Sequence, residues 1–222
     1  LDSEYEEEVI MIEMREFHQL IVDEKKEELI EWVTETMNSG TLTVRTLYND
    51  YLIPSVGLFE CPFQEDPLCI WKEHLRTSVI RSIVEIVYPY VLKEKKKKIG
   101  KKIILACPER EYHELPLRIV SDWFELNGFS TIFAGGNTPR SSLLKAVEYE
   151  KADYVALSVS NPYNLCRIKE MIDEIKNVKQ TVKIIVGGIA FENNPRFLEK
   201  LSVDFYLKDL AAIDRFSEEI RG

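Results

Sequence analysis

Lys102-Ile103-Ile104-Leu105-Ala106-Cys107-Pro108 runs directly into Glu109-Arg110-Glu111-Tyr112-His113-Glu114, and this junction decides the fold. Residues 103–107 form a short unbroken apolar run, closed by a loop dense in charge. Downstream the pattern recurs. Apolar runs at 131–133, 154–157, 184–186 and 205–207 alternate with helical spacing over 116–127, 140–151, 164–177, 194–200 and 210–221. Short runs buried on both sides and alternating with helices predict a parallel sheet covered on both faces. The expectation for 102–222 is a doubly wound, flavodoxin-like (Rossmann-like) domain with five strands.

Upstream of that junction the spacing is helical. Val9, Ile12, Met14 and Phe17 are followed by Leu29, Trp32, Val33 and Met37, and the Asn38-Ser39-Gly40 breaker ends the second helix. Val44, Leu47, Tyr48 and Tyr51 share a face of a third helix, which Pro54 and Gly57 are expected to end. Trp71, Leu75, Val79 and Ile83 then recur every four residues. Four amphipathic helices with short connections predict an N-terminal bundle over 1–92. The basic run Lys93-Glu94-Lys95-Lys96-Lys97-Lys98 falls in the expected linker, 93–101.

Composition removes several classes. The 222 residues are 45% apolar and 30% charged, an ordinary globular balance and not a collagen-like, disordered or coiled-coil one. No apolar stretch reaches the roughly 18 residues of a membrane span, and the acidic start is no signal peptide. Residues 1–92 hold 19 acids and 7 bases, and the remainder 19 acids and 22 bases. Beyond the linker no basic cluster exists to replace the counterions of a duplex, so any DNA contact is expected through a domain absent from this chain. A start at Leu1 and not Met fits such an upstream domain. Cys61, Cys69, Cys107 and Cys166 lack zinc spacing. Cys61 and Cys69 are near enough in sequence for a disulfide, but without a secretory signal all four are expected reduced in a cytoplasm.

In doubly wound sheets the ligand sits beyond the carboxyl ends of the strands, at the switch point beside the first and third. Three unusual segments fall on that edge: 108–114, Ser158-Val159-Ser160-Asn161-Pro162, and Gly187-Gly188-Ile189-Ala190. A phosphoacceptor aspartate is absent, since Ser158 ends the third run. The first loop holds three glutamates and would repel a phosphate, and no G-x-G-x-x-G occurs. Gly135-Gly136 and Gly187-Gly188 read as points of close backbone approach. What remains is His113 between Glu111 and Glu114: either a surface histidine on a polar loop, or one axial ligand to a metal already held by a macrocycle, oriented by a neighbouring carboxylate.

Glu111-Tyr112-His113-Glu114-Leu115-Pro116 resembles the D/E-x-H-x-x-G signature of cobalamin-binding domains. Ser158-Val159-Ser160 falls where that family has S-x-L, and Gly187-Gly188 where it has G-G. With its helical cap the whole chain is similar to the sensor region of MerR-type, CarH-class light-dependent regulators. There the cap carries a Trp followed by a Glu-His pair, which Glu73-His74 matches. The resemblance implies a cytoplasmic, non-enzymatic photoreceptor that binds cobalamin (adenosylcobalamin or methylcobalamin, with its cobalt) and regulates transcription. It makes His113 the lower cobalt ligand and Glu111 its carboxylate partner. Ser158, Ser160, Gly187 and Gly188 then line a slot for the displaced nucleotide tail. Trp71, Glu73 and His74 face the upper ligand, and His74 is the upper cobalt ligand after photolysis. It further implies a corrinoid partner, no membrane, and a homo-oligomer that depends on ligand or light. The chain departs from the pattern at Pro116 for glycine, Ser160 for leucine, and in the Trp spacing, where Phe59 or Phe63 stands closer to the usual place than Trp71. A second reading of the same layout is the corrinoid carrier of a methyltransferase system. Such carriers usually read D-x-H-D-I-G with a following Lys, which Glu111, Glu114, Pro116 and Leu117 do not match.

Overall fold

The computed structural model describes residues 12–57 and 67–222. The chain divides into two units, Leu1–Glu94 and Lys95–Gly222. Val9, Phe59, Cys61 and Phe63 lie outside the described residues.

The first unit contains α1 (Met14–Val22), α2 (Lys26–Ser39), α3 (Val44–Thr46), α4 (Ile53–Gly57) and α5 (Pro67–Glu94). A π-helical turn, Leu47–Leu52, joins α3 to α4. Each longer helix, and the π-helical turn, directs an apolar stripe inward: Phe17 and Ile21, Leu29 and Val33, Tyr48 and Leu52, then Ile80, Val84, Val87 and Val91. Burial of each such side chain is worth about 1.5–3 kcal/mol. Phe17, Trp32 and Tyr51 meet at ring distances of 5.2–5.7 Å. Gly40, at φ +74°, closes α2 in the left-handed conformation that glycine adopts without strain.

Two expectations are corrected here. Pro54 does not end the third helix but lies inside α4. The N–H of Ile53 reaches back to the Tyr48 carbonyl, and this wider turn relieves the clash a proline ring makes in a regular helix. Cys69 is disulfide-bonded, so the four thiols are not all reduced; that expectation rested only on the lack of a secretory signal. Cys107 and Cys166 are free.

Helix α5 runs to Glu94, two residues beyond the bundle end read at 92, and the Glu94 carboxylate accepts the Val44 N–H at 3.0 Å. The rest of the expected linker belongs to the second unit. There the N–H groups of Lys96 and Ile99 donate to the carbonyls of Leu126 and Gly128, at 2.8 and 2.9 Å.

The second unit is built on β1 (Lys102–Pro108), β2 (Ser130–Thr138), β3 (Tyr154–Ser158), β4 (Lys183–Gly187) and β5 (Phe205–Tyr206). All pairings are parallel, in the order β2-β1-β3-β4-β5. This is the doubly wound, five-stranded architecture that the alternation predicts. Helices α6 (Leu115–Leu126), α7 (Arg140–Glu150), α8 (Leu165–Val178), α9 (Ile189–Asn193) and α10 (Leu210–Arg221) complete it. Where one helix was expected at 194–200, the chain instead forms the short α9 and a 3-10 segment, Pro195–Lys200.

Side chains alternate across the sheet. Ile104, Ala106, Val155, Leu157, Val159, Ile184 and Val186 pack with residues of α7 and α8. Tyr154 and its alternates therefore point to the opposite face, where Phe124 of α6, Phe129, and Phe216 of α10 pack edge-on or stacked at 5.3–6.3 Å. At the amino edge of the sheet Asp153 accepts the Lys102 N–H (2.9 Å) and the Lys101 ammonium (3.2 Å). Asp204 likewise accepts the Ile184 N–H (2.8 Å) and the ammonium groups of Lys176 and Lys183. No helix among the described residues is long and apolar enough to cross a membrane.

Candidate functional site

The carboxyl edge is organised by one buried carboxylate. Glu111 lies in the loop between β1 and α6 with its side chain 1% exposed. Its Oε1 meets His113 Nδ1 at 2.5 Å and accepts the His113 N–H at 3.2 Å. Its Oε2 accepts the N–H groups of Ser160 (3.0 Å) and Asn161 (2.8 Å) and the Asn164 side-chain amide (3.1 Å). Burial alone would raise the Glu111 pKa, but these donors outweigh it and hold the carboxyl at about 2. Glu111 is therefore a carboxylate at neutral pH, and it fixes the imidazole. With Nδ1–H donating to the carboxylate, Nε2 of the neutral ring carries the lone pair. The His113 side chain is 54% exposed.

The two glutamates that flank His113 do different things. Glu114 ties the loop to β2: its Oε2 accepts the Gly136 N–H at 2.7 Å. A Cβ on Gly135 would fall 2.7 Å from that same oxygen, which is why β2 carries glycine where it passes the loop. Asn137 accepts the Arg110 N–H (2.9 Å) and donates its own N–H to the Glu111 carbonyl (2.7 Å), so β2 also pins the loop. Asn137, Asn161 and Asn164 were not singled out from the sequence. Asn161-Pro162 is a turn signal, and Asn161 does accept the Tyr163 N–H, but nothing local marks contacts to residues about fifty positions away.

Ser158, buried at the end of β3, is in register with Gly187 on β4, so the structure brings these two together. Ser160 joins the His113 arrangement through its backbone N–H. Gly188, at φ +103°, approaches loop 158–162 so closely that a Cβ would lie 2.4 Å from the Val159 carbonyl oxygen. A Cβ on Gly187 would lie 2.9 Å from the Leu207 carbonyl. The fold itself demands this glycine pair. Pro116, in place of the motif's glycine, sits in the first turn of α6, where its missing N–H costs nothing.

Cys107 lies near the end of β1, beneath this loop, with its Sγ 3.8 Å from the His113 carbonyl. Burial, and then Glu111 and Glu114, push its pKa to about 12, so it stays a thiol and is no thiolate ligand or nucleophile at neutral pH. Among the described residues no cluster of three or more His, Cys, Asp or Glu side chains could hold a metal ion. In the first unit Trp71 is 61% exposed, which removes core packing as its role; His74 is exposed and Glu73 half-buried. Trp71 and His74, three apart on α5, share a helix face.

Residues 101–209 match the B12 binding domain family, and this part of the chain belongs to it. The protein is thus a cobalamin binder. More particularly, it is related to the HTH-type transcriptional repressor CarA of Myxococcus xanthus, with 22% identity over 138 residues. That match takes in 62% of this chain and 47% of the relative, so the chain spans about half the relative's length. In fold it is similar to the monomethylamine corrinoid protein of Methanosarcina barkeri, with TM-score 0.78, 16% identity, and coverage of 92% of this chain and 96% of that one. A cobalamin-binding protein of Desulfitobacterium hafniense gives TM-score 0.51 and 18% identity over 96% of this chain and 100% of that one.

The residues present fit such a ligand. A half-exposed imidazole with its tautomer set from beneath suits an axial nitrogen ligand. On the α6/α10 side of the sheet, strand alternation places Cys107, Ala156, Ser158 and Gly187 toward the carboxyl edge, above the aromatic floor around Tyr154. Cys107, Ala156 and Ser158 are small and buried there.

Proposed function

We propose that the chain is the cobalamin-binding sensor part of a light-responsive transcription regulator, loaded with adenosylcobalamin. The observation that carries this reading is the Glu111–His113 pair at the switch point. The relationship to a transcriptional repressor supports the regulator over a carrier. His113 Nε2 would bind cobalt, and Glu111 keeps the ring in the tautomer that can do so. Ser158 and Gly187 line the path of the displaced tail, with Gly188 and Ser160 holding its loops in place. Bound adenosylcobalamin supplies a cobalt–carbon bond that green light breaks. In this proposal Trp71, Glu73 and His74 would serve the other ligand of cobalt, and His74 would supply it an imidazole nitrogen after photolysis. The chain acts as a binding and reporting module and not as an enzyme. It works in the cytoplasm, and DNA contact belongs to a segment outside these 222 residues.

The test is the absorption spectrum and oligomer size of adenosylcobalamin-loaded protein, in the dark and after green light, for wild type and His74→Ala. The expected result is a size change on illumination in wild type, with a His74-dependent spectrum. Bond cleavage with neither size nor spectrum depending on His74 overturns the switch. Binding of methylcobalamin with no dark retention of adenosylcobalamin would favour the alternative, the corrinoid carrier of a methyltransferase system.

A further inference from the structure

Cys69 lies in the first turn of α5 and is disulfide-bonded, while Cys107 and Cys166 are free. The sequence holds four cysteines, so Cys61 is the sulfur left to pair with it. A cytoplasm keeps ordinary cysteine pairs reduced, and a disulfide that forms there is as a rule transient, catalytic or redox-sensing. A purely structural bond is therefore at odds with the compartment proposed above.

The packing of α5 gives the bond something to control. From Leu68 to Ser78 no side chain of the helix is buried, and Leu68, Ile70 and Trp71 are more than half exposed. Val79 is the first buried residue, and beyond it Ile80, Ile83, Val84, Val87 and Val91 are all enclosed. Packing of an apolar face, more than intrinsic propensity, holds a helix together, and segments with few buried contacts open first. The turns that carry Trp71, Glu73 and His74 are thus anchored by the core at one end, from Val79 onward, and by the Cys69 sulfur at the other. Cys69 and Glu73, four apart, share a helix face.

We propose that the Cys61–Cys69 disulfide is a reversible redox tether for the start of α5. A dithiol reductant opens it by two-electron exchange. One reductant thiolate attacks a sulfur of the pair, the sulfur–sulfur bond breaks, and a mixed disulfide forms. The second reductant thiol then displaces the bound cysteine. The reductant ends as a disulfide, and Cys61 and Cys69 end as thiols with the two protons the reductant has lost. A disulfide oxidant of the same class runs the exchange backwards. The oxidised form holds Trp71, Glu73 and His74 on an ordered helix; the reduced form lets those turns fray. Redox state therefore sets whether these side chains can act. The consequence for cobalt rests on the cobalamin reading above, whereas the tether itself does not.

The experiment compares protein purified without reductant, the same protein reduced by dithiothreitol and then freed of it, and the variants Cys61→Ser and Cys69→Ser. Thiol titration of the denatured chain should count the two free cysteines before reduction and all four after it. Backbone amide exchange over 70–76 should speed up about tenfold in reduced wild type and in both variants, and stay unchanged over 80–91. Glutathione buffers should convert the pair within the range of potentials a cytoplasm spans. After loading with adenosylcobalamin and illumination, the His74-dependent spectrum should appear in oxidised protein and be lost on reduction. Four thiols even after treatment with oxidised glutathione overturn the tether. So do equal exchange rates in the two redox states, a pair that no cytoplasmic glutathione potential reduces, or a His74-dependent spectrum indifferent to reduction. Failure to take up cobalamin, with thiol counts and exchange as expected, overturns the cobalamin reading and upholds the tether.

Discussion

The two edges of the parallel sheet both rest on carboxylates, and they surround them with different partners. At the amino edge Asp153 and Asp204 each take a backbone N–H and one or two lysine ammonium groups. At the carboxyl edge Glu111 is more deeply buried and takes only neutral donors: backbone N–H groups, a carboxamide and an imidazole. A lysine there would neutralise the carboxylate and take its attraction away from His113. Neutral donors keep the charge available to the ring while still locking the loops together. The amino edge ties strands; the carboxyl edge ties strands and also prepares an exposed nitrogen.

A pair of glycines, one crowded and one open, supplies the largest expected effect. Gly188→Ala places a Cβ 2.4 Å from the Val159 carbonyl oxygen at a φ of +103°, so backbone has to move. We expect a loss of about 3 kcal/mol or more in denaturant unfolding, together with loss of cobalamin binding. Gly100, at φ +79° just before β1, has open space where a Cβ would stand, with nothing within 4 Å. Gly100→Ala should cost only about 1–2 kcal/mol and leave cobalamin affinity intact. Equal costs at the two positions would contradict the picture of a crowded Gly188 and an open Gly100.

The next effect separates the two members of the central pair. His113→Ala should abolish nitrogen ligation from the protein, seen as a shifted cobalamin spectrum. It should cost less than about 1 kcal/mol of apo stability, because Glu111 keeps its other donors. Glu111→Gln puts an amide where the carboxylate receives donors, so one N–H faces another. It should weaken cobalamin about 10- to 100-fold and also destabilise the apo protein by about 1–3 kcal/mol. If Glu111→Gln changed affinity without touching stability, its ties to Ser160, Asn161 and Asn164 would carry no weight.

Legibility in the sequence followed the range of the interactions. Periodicity placed the apolar runs at 103–107 and 154–157, because burial on both faces leaves a continuous apolar signal. It missed that β2 continues through Gly135-Gly136 to Thr138. There the register shifts after Leu105 and after Ala106 keep glycines, usually turn residues, within a strand. The loop motif named His113 and offered two carboxylates, and three-dimensional contacts show Glu111 orienting the ring and Glu114 holding β2. Asn164, 53 positions from Glu111, left no local trace.

The smallest effect tests the amino edge by acid. Burial alone would raise the Asp204 pKa, but Lys176, the Ile184 N–H and Lys183 together hold it below its usual 3.8. A carboxyl depressed in the folded state contributes stability that is fully present above its unfolded pKa and lost as pH falls through the folded value. The contribution should therefore be constant from neutral pH down to about 5 and fade below about 4. Asp204→Asn removes it. Because the lysines are partly exposed, the cost near pH 7 should be only about 1 kcal/mol. Unfolding curves of wild type and variant should accordingly be separated at pH 7 and converge as pH falls well below the usual carboxylate range. Cobalamin affinity at neutral pH should be the same in both. A variant that lost affinity as Glu111→Gln does would show that the two edges are coupled through the sheet, and the division between a strand-tying edge and a ligand-preparing edge would fall.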